Sequence, residues 1–488
     1  MNEQYSLRYK AIHSAIWKFL ERFLAQIVSL IVSVVLARLL EPSDYSVVSI
    51  CTIFFAAAAM IISGGLNTAL IQKKDASAGD YTGILIISLI VSIIVYFVLF
   101  LFAPVIASFY NQPILVSVIR VMGLVLIINA YKSILCAYIS ARLQFKTFFF
   151  GTLIGTLISA VVGIIMALRG FRSWALVGQQ MTNTIVDTIV LTIITKMPLS
   201  THVSFKSLKS LFKYGYKIFI TSMLQMIYSY LIPLFIGKKY TASDLSYYTK
   251  GRNFPDLILS STSSTLSAVL FPVLAKFQDD NQALLHSTRR FIRVSSFVLF
   301  PLMLGLFAVS DNLVIVLLTE KWLPASQFIR IFCIANMFDM IHVGNCETIK
   351  AMGRSDIYLI IEIVKKTCYF ITIAFFMWFG KNPVQLAEAF IVCTIIALCV
   401  NMIPNSRLIG YSLKMQVFDI LENLLVSIVM CVSVSAVNYL KMNSLLKLFI
   451  QVPLGIFVYI AICKVAKNQN LEFIKNVLLF SLKKRDET

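Results

Sequence analysis

The chain has 488 residues, of which 59% are hydrophobic and only 14% are charged. A soluble protein of this length carries about 25% charged residues, so the composition excludes an ordinary soluble globular protein. The formal net charge is +20, but the lysines and arginines lie mainly in short loops between apolar runs. That distribution is typical of membrane proteins and excludes nucleic acid as a partner.

Apolar runs of about 20 residues, the length that a helix needs to cross the hydrocarbon core, recur along the chain. They do not alternate in polarity as membrane strands do, so the sequence predicts an all-α polytopic membrane protein. Met1–Lys10 is polar and the apolar run that follows it contains charges, so we expect no cleavable signal peptide there. The fourteen predicted spans are 14–37, 45–70, 82–108, 114–139, 147–168, 173–195, 215–236, 245–275, 291–318, 325–349, 357–379, 384–404, 418–439 and 444–463.

The lysines and arginines also predict the orientation. With the N-terminus inside the cell, the inner segments hold 25 of these residues and the outer loops hold nine. This bias predicts a cytoplasmic N-terminus, and the even number of spans places the C-terminus on the same side. Residues 467–488 carry apolar positions among lysines and predict a cytoplasmic amphipathic helix, with a frayed tail as the alternative.

An internal repeat divides the chain. The Ser-Asp-x-Ser sequence of Ser43–Ser46 recurs 200 residues later at Ser243–Ser246, and Ile119-Arg120 recurs 210 residues later at Ile329-Arg330. The repeat predicts two six-helix lobes, residues 1–200 and 201–410, followed by two extra spans in residues 411–466. Units with an even number of spans insert in the same orientation, so their symmetry axis runs along the membrane normal. Such a duplication favours a transporter that works by alternating access.

Several basic side chains fall inside the predicted spans. An ionisable group at the bilayer centre costs at least about 3 kcal/mol, so each must face protein, water or another charge. An arginine suits a phosphate because its planar fork can donate two hydrogen bonds at once. The predicted substrate-binding residues of a cationic cavity are Lys18, Arg22, Arg120, Lys132, Lys250, Arg252 and Arg330.

Structural alternatives exist for the cations of the first, fourth and tenth spans. Glu21 lies three residues after Lys18 and next to Arg22, and is a candidate for an internal salt bridge. Arg120 and Arg330 occupy equivalent positions of the repeat, but both are close to the outer ends of their spans. Their side chains can therefore also reach the lipid headgroups.

The eighth span contains two cations on nearly opposite helix faces, Lys250 and Arg252. Asp256 follows Arg252 by one turn and is its expected partner. Lys250 has no acid at that spacing, and we expect it to be the freer of the two. The alternative is that Tyr247, Tyr248 and Lys250 belong to an interfacial belt.

Embedded acids are candidates for ion coupling or for charge pairing. We expect Asp187, Asp339 and Glu388 to be isolated and buried. Glu347–Lys350 and Glu362–Lys366 are expected to contain structural ion pairs. Gly64 and Gly65 are predicted to permit close helix packing or a bend. The candidate acids are Glu21, Asp187, Asp339 and Glu388.

The sequence offers no catalytic constellation. The four histidines are dispersed, the nine cysteines form no Cys-x-x-Cys pair, and no phosphate-binding loop is present. We therefore predict no enzyme activity, metal or cofactor, and energy from an ion gradient, the membrane potential or consumption of the product.

Several motifs, in order along the chain, are similar to those of oligosaccharide flippases. They are Trp17–Phe23 (WKFLERF), Leu36–Tyr45 (LARLLEPSDY), Ala69–Asp75 (ALIQKKD), Lys350–Asp356 (KAMGRSD) and Glu362–Lys366 (EIVKK). The chain resembles the Wzx-type O-antigen translocases and the colanic and teichuronic acid exporters. These belong to the multidrug/oligosaccharidyl-lipid/polysaccharide (MOP) exporter superfamily.

The resemblance implies a fourteen-helix fold with a cavity between two lobes in the bacterial inner membrane. The implied cargo is an undecaprenyl-diphosphate-linked oligosaccharide repeat unit, flipped to the outer leaflet for O-antigen, capsule or exopolysaccharide synthesis. A polymerase and glycosyltransferases are the implied partners, besides membrane lipids. Relatives often have an acid where this chain has Ser63, so no role of that acid carries over.

Three other functions are weighed against this one. A drug/cation antiporter or a peptidoglycan lipid-precursor flippase of the same superfamily is the main alternative, although embedded cations outnumber the acids that an antiporter needs. A membrane glycosyl- or acyltransferase would require clustered acids or a His-Asp motif, which the sequence lacks.

Overall fold

The computed structural model describes residues 26–73, 76–142, 144–275, 277 and 280–472. Within these ranges all regular secondary structure is helical. The helices are α1 (Gln26–Leu39), α2 (Pro42–Ser63), α3 (Leu66–Gln72), α4 (Ala78–Phe109), α5 (Ile114–Met122), α6 (Leu124–Ala141), α7 (Phe145–Leu168), α8 (Ser173–Thr195), α9 (Phe205–Lys239), α10 (Ala242–Ala275), α11 (Asn281–Leu318), α12 (Ala325–Asn336), α13 (Asp339–Ala351), α14 (Ser355–Phe379), α15 (Pro383–Leu408), α16 (Leu413–Ala436) and α17 (Ser444–Val465).

These helices confirm the prediction of an all-α polytopic membrane protein. In the part of the chain that the structure describes, nine helices are long and apolar enough to cross a membrane. Three predicted spans are divided in two, by breaks between α2 and α3, α5 and α6, and α12 and α13. The total of fourteen spans and the symmetry of the lobes stay predictions. The first span and the C-terminal tail fall largely on residues 1–25 and 473–488, outside the described ranges.

The break between α2 and α3 has a clear local cause. Gly64 and Gly65 both have positive φ, 50° and 72°, which ends α2 in a left-handed turn. At Gly65 the backbone lies so close to the carbonyl oxygen of Gly215 on α9 that a Cβ atom has no room. The predicted bend and close helix packing at this glycine pair are confirmed.

The repeated Ser-Asp-x-Ser sequence starts a helix in both of its copies. Asp44 accepts a hydrogen bond from the backbone N–H of Glu41 at 3.1 Å, and Asp244 accepts one from Thr241 at 3.0 Å. A carboxylate in the first turn satisfies a backbone donor and opposes the positive end of the helix dipole. The repeat therefore encodes the same N-terminal cap 200 residues apart, at the starts of α2 and α10.

Contacts between helices divide the chain into unit 1, Met1–Ser246, and unit 2, Tyr247–Thr488. In unit 1, α9 packs against α2, α3 and α4. A buried cluster that includes Leu70, Tyr81, Ile134 and Leu211 joins α3, α4 and α9 to α6. The predicted lobe boundaries at residues 200, 410 and 466 remain predictions.

Unit 2 has a polar as well as an apolar core. Fully buried Asn345, Asn405 and Gln416 connect α13, α15 and α16: Asn405 donates to the side-chain oxygen of Asn345 at 2.7 Å, and Asn345 donates to Gln416 at 3.1 Å. In an apolar environment such interhelical amide bonds hold helices together, because an unsatisfied amide there is costly.

Candidate functional site

A cavity of about 450 Å³, lined mainly by apolar side chains with four polar ones, lies in unit 1 between α2 and α6. Small side chains in the alanine run of α2, including Ala56 and Ala59, leave this space open. The polar groups on its wall are Ser63 of α2 and Asn129, Lys132 and Ser133 of α6.

A second cavity, of about 500 Å³, adjoins the first. It lies between α2 and α9 and shares Ala56 and Met60 with its neighbour. Its polar wall comes from Ser222, Gln225, Ser229 and Tyr230 on α9. The two spaces thus place hydroxyl, amide and ammonium groups on either side of α2, and we refer to them together as the unit 1 cavity.

Lys132, the cation of this cavity, is held by an acid from another helix. Its ammonium lies 2.5 Å from Asp187 Oδ2 on α8, and the Asp187 side chain is only 8% exposed. Gly151 on α7 lies against Asp187 Oδ1, where a Cβ atom would be too close. Asp187 is therefore not the isolated acid we expected, because α6 and α8 pack together and bring it to Lys132.

A second ion pair fastens one end of unit 1. Lys73 follows α3, and its ammonium lies 2.5 Å from Asp80 Oδ2 at the start of α4. The 2% exposed Asp80 also accepts from the Ser77 backbone N–H at 2.9 Å and from the Ser207 hydroxyl of α9. These contacts of Asp80 join α3, α4 and α9 at the end of unit 1 that the distribution of basic residues predicts to be cytoplasmic.

In unit 2 the two cations of α10 lie in different environments. Lys250 is buried, at 7% exposure, with its ammonium 5.8 Å from the Trp322 ring centroid. Arg252 is 31% exposed and lies 3.0 Å from Asp256, which confirms that pair. Asn336 of α12 donates to the other oxygen of Asp256 at 2.9 Å. Lys250 is thus the more buried of the two cations, and Arg252 forms the ion pair that the sequence spacing predicted.

A polar group surrounds His342 in the interior of unit 2, and no sequence motif predicted it. The Lys365 ammonium lies 3.1 Å from His342 Nε2 and pairs with Glu362, as predicted. Asn401 contacts His342 Nδ1, and Cys346 lies 3.7 Å from the same nitrogen. His342, Cys346 and Glu362 could together offer ligands to a metal ion, but the ammonium of Lys365 already provides the positive charge that Glu362 requires.

The two equivalent arginines each stack on a phenylalanine of their own unit. Arg120 lies 4.3 Å from the Phe100 ring centroid, and its Nε atom is buried without a hydrogen-bond partner in the described ranges. Arg330 donates to Ser310 Oγ at 3.0 Å and pairs with Asp311. Arg330 is thus engaged in an ion pair that its sequence spacing did not predict.

The remaining candidates fall in different settings. Asp339 is half-buried at the start of α13, and the described residues offer it no ion pair. Glu388 is exposed on α15, so the expectation that it is buried is wrong. The predicted Glu347–Lys350 pair is confirmed at 2.9 Å. Candidates Lys18, Glu21 and Arg22 lie outside the described residues.

Comparison with known proteins assigns the family. A family described as polysaccharide biosynthesis protein matches residues 35–327, well over half of the chain. The chain belongs to the polysaccharide biosynthesis protein family. This confirms the family resemblance of the sequence motifs.

Three named proteins are similar to this chain at 22–24% sequence identity over more than half of its length. A protein named as an uncharacterized membrane protein in the cps region of Klebsiella pneumoniae is 24% identical over 395 residues, covering 80% of each chain. The lipopolysaccharide biosynthesis protein WzxC of Escherichia coli (strain K12) is 22% identical over 369 residues, covering 74% of each. The succinoglycan biosynthesis transport protein ExoT of Rhizobium meliloti (strain 1021) is 23% identical, covering 59% of this chain and 58% of its own.

Solved structures with the same fold are transporters. The lipid II flippase MurJ in an inward closed conformation gives a TM-score of 0.74 at 16% identity, covering 95% of this chain and 100% of its own. An inward-facing multidrug resistance MATE transporter of the MOP superfamily gives 0.59 at 13% identity, covering 79% and 95%. The chain therefore has the fold of these multi-pass membrane proteins.

Proposed function

We propose that this protein is a flippase that moves lipid-linked oligosaccharide repeat units across the bacterial plasma membrane for surface polysaccharide synthesis. The observation that carries the proposal is the family match over residues 35–327, together with a transporter fold and relatives named for polysaccharide and lipopolysaccharide biosynthesis. Such a cargo combines a long apolar tail, a diphosphate and sugars, and it needs a polar path through an apolar protein.

The unit 1 cavity supplies groups of the right chemistry for the polar part of this cargo. Sugar hydroxyls exchange hydrogen bonds with Ser, Asn, Gln and Tyr side chains, all of which line the cavity. Lys132 adds a cation within reach of a phosphate, since its side chain is 25% exposed despite its pairing with Asp187. Arg120, Lys250, Arg252 and Arg330, with Lys18 and Arg22, stay in the proposed substrate-binding set.

The direction and mechanism are also part of the proposal. Undecaprenyl diphosphate is the proposed carrier, and the repeat unit enters from the inner leaflet and leaves in the outer leaflet. The 25-to-9 distribution of basic residues supports cytoplasmic termini. The internal repeat supports alternating access, and Glu21, Asp187, Asp339 and Glu388 stay the proposed ion-coupling or pairing acids. A polymerase and glycosyltransferases that consume and supply the repeat unit are the proposed partners.

A deletion strain tests the function directly. Loss of the gene should abolish surface polysaccharide and cause lipid-linked repeat units to accumulate on the cytoplasmic side, and the wild-type chain should reverse both effects. Unchanged polysaccharide without such accumulation rules out the proposal. Rescue of a strain depleted of its peptidoglycan precursor flippase, or increased drug resistance on expression, would instead identify one of the two alternatives from the same superfamily.

Substitutions test the cationic path. We expect Arg22→Ala and Lys250→Ala to reduce polysaccharide export while the protein still reaches the membrane. Arg407→Ala, which changes an exposed arginine at the end of α15, is the matched control and should export normally. Normal polymer levels in both test variants would remove these residues from the proposed binding set.

A further inference from the structure

A strongly basic pocket lies at one end of unit 2, on residues that the proposed transport path does not use. Its volume is about 350 Å³. Three arginines and a histidine on one face of α11 form one wall, and the amides that follow α17 form the other. Among the residues that the structure describes, no acidic side chain lines the pocket. This basic pocket is lined by His286, Arg289, Arg290, Arg293, Val294, Gln469 and Asn470.

A single buried carboxylate organises two of the arginines. Arg289 and Arg293 are one turn apart, and both reach Asp419 on α16, whose side chain is 1% exposed. Arg289 donates from Nε at 2.8 Å and from Nη2 at 2.9 Å, and Arg293 donates from Nε at 2.8 Å and also from Nη2. The Tyr411 hydroxyl adds a bond at 2.8 Å. Asp419 thus holds the inner edges of both guanidinium groups.

The outer edges of these groups provide the donors of the pocket. A guanidinium has five N–H donors, and each arginine uses only two of its N–H-bearing nitrogens on Asp419. Their side chains are 30% and 37% exposed. Two cations share one carboxylate, so a net positive charge remains before Arg290 is counted. Glu422, one turn from Asp419, does not line the pocket and accepts from Asn468 at 2.9 Å.

We propose that the basic pocket binds the phosphate of an anionic phospholipid headgroup. Arginine forks match phosphate oxygens in geometry and charge, and the pocket is large enough for a glycerol phosphate group. Phe418, which precedes Asp419 in the sequence, is 60% exposed, and Val465, at the end of α17, is 86% exposed, so α16 and α17 both present apolar side chains that suit acyl chains. The pocket lies at the predicted cytoplasmic end, where anionic lipids and basic clusters attract each other.

The test measures lipid binding by the full-length chain without any transport step, so it stands or falls separately from the flippase proposal. Purified protein in neutral detergent is titrated with phosphatidylglycerol or phosphatidylcholine, and affinity is read from native mass spectrometry and from the thermal unfolding midpoint. We expect saturable binding of phosphatidylglycerol and at least about tenfold weaker binding of phosphatidylcholine. Equal binding of the two lipids overturns the proposal. The proposal is also overturned if sn-glycerol 3-phosphate binds as tightly as the lipid, because the natural ligand would then be a soluble phosphate.

Variants with opposite expected signs separate binding from folding. Arg293→Gln should weaken phosphatidylglycerol binding about tenfold, whereas Asp419→Asn adds net positive charge to the pocket and should bind as tightly as the wild type or more tightly. His286→Gln leaves the Asp419 contacts intact and should weaken binding a fewfold, which keeps the test valid if either of the others fails to fold. Arg407→Gln is the control with unchanged affinity. If Arg293→Gln and His286→Gln both bind phosphatidylglycerol as tightly as this control, the site is refuted.

Discussion

The Lys132–Asp187 pair allows a structural role to be separated from a binding role. Lys132→Met would leave the 8% exposed Asp187 carboxylate without its partner, and the other carboxylate oxygen already has no hydrogen bond in the described ranges. Removing one partner of a buried ion pair costs about 3–5 kcal/mol. Asp187→Asn instead leaves Lys132 with water access from the unit 1 cavity, because its side chain is 25% exposed. We expect that change to cost about 1 kcal/mol.

The double variant completes a thermodynamic cycle. Replacing a buried ion pair by neutral side chains of similar size is often close to neutral, so Lys132→Met with Asp187→Asn should lose no more than about 1 kcal/mol. The single losses sum to about 4–6 kcal/mol and the double variant loses about 1 kcal/mol, so the coupling between the two sites is about 3–5 kcal/mol. Unfolding in mixed detergent micelles measures all three variants. Lys206→Met, at an exposed lysine of α9, is the control that should leave stability unchanged.

Export of polysaccharide by the same variants decides the role of Lys132. If its ammonium binds the diphosphate, the double variant is stable but does not export, and Asp187→Asn alone keeps export. If the pair is purely structural, the double variant recovers both stability and export. Additive losses of stability, with no coupling beyond about 0.5 kcal/mol, would refute the reasoning from the ion-pair geometry.

Three further substitutions test how the helices are held. Asp80→Asn should destabilise unit 1 by about 2–4 kcal/mol, because a buried charge-assisted network loses its negative charge and one of its two acceptor oxygens. Its thermal unfolding midpoint should lie well below that of the exposed control Lys206→Gln, and equal midpoints would contradict a stabilising role of Asp80. Asn405→Ala should cost about 1–2 kcal/mol by removing interhelical amide bonds, measured by the same unfolding assay, and a wild-type midpoint would show that this network does not stabilise the fold. Gly65→Ala should cost more than Gly353→Ala: both glycines have positive φ, but only Gly65 lies against another helix, and similar losses in the two variants would exclude the close approach of α3 to α9.

The polar group around His342 gives a prediction about the folding of unit 2. Lys365, Glu362 and His342 form a hydrogen-bonded group, and its positive charge comes from the Lys365 ammonium rather than from a metal ion. We predict that Lys365→Met strongly reduces the amount of folded protein in the membrane, because Glu362 and His342 would both lose their partner. Addition of zinc that restores the variant would indicate that a metal ion can replace the ammonium.

The sequence by itself determined the class of fold and most of the helix bounds. Hydrocarbon thickness fixes the length of an apolar span, and a backbone in lipid must satisfy its own hydrogen bonds, so hydropathy alone predicts helices. The Gly64-Gly65 pair acts locally, because a left-handed turn depends on the glycines themselves, and the bend could therefore be predicted. The motifs quoted from the sequence pointed to the family that the comparisons assign.

Only the tertiary structure decided which charges meet. Pairs at helical spacing, such as Arg252 with Asp256, could be predicted because both partners lie on one helix face. Asp187 with Lys132 and Asp419 with Arg289 involve different helices, and their meeting depends on how those helices rotate and pack. A hydrophobic pattern around the whole circumference of a membrane helix does not specify that rotation. Small residues and buried polar groups specify it instead, and their effect is visible only once the helices are packed.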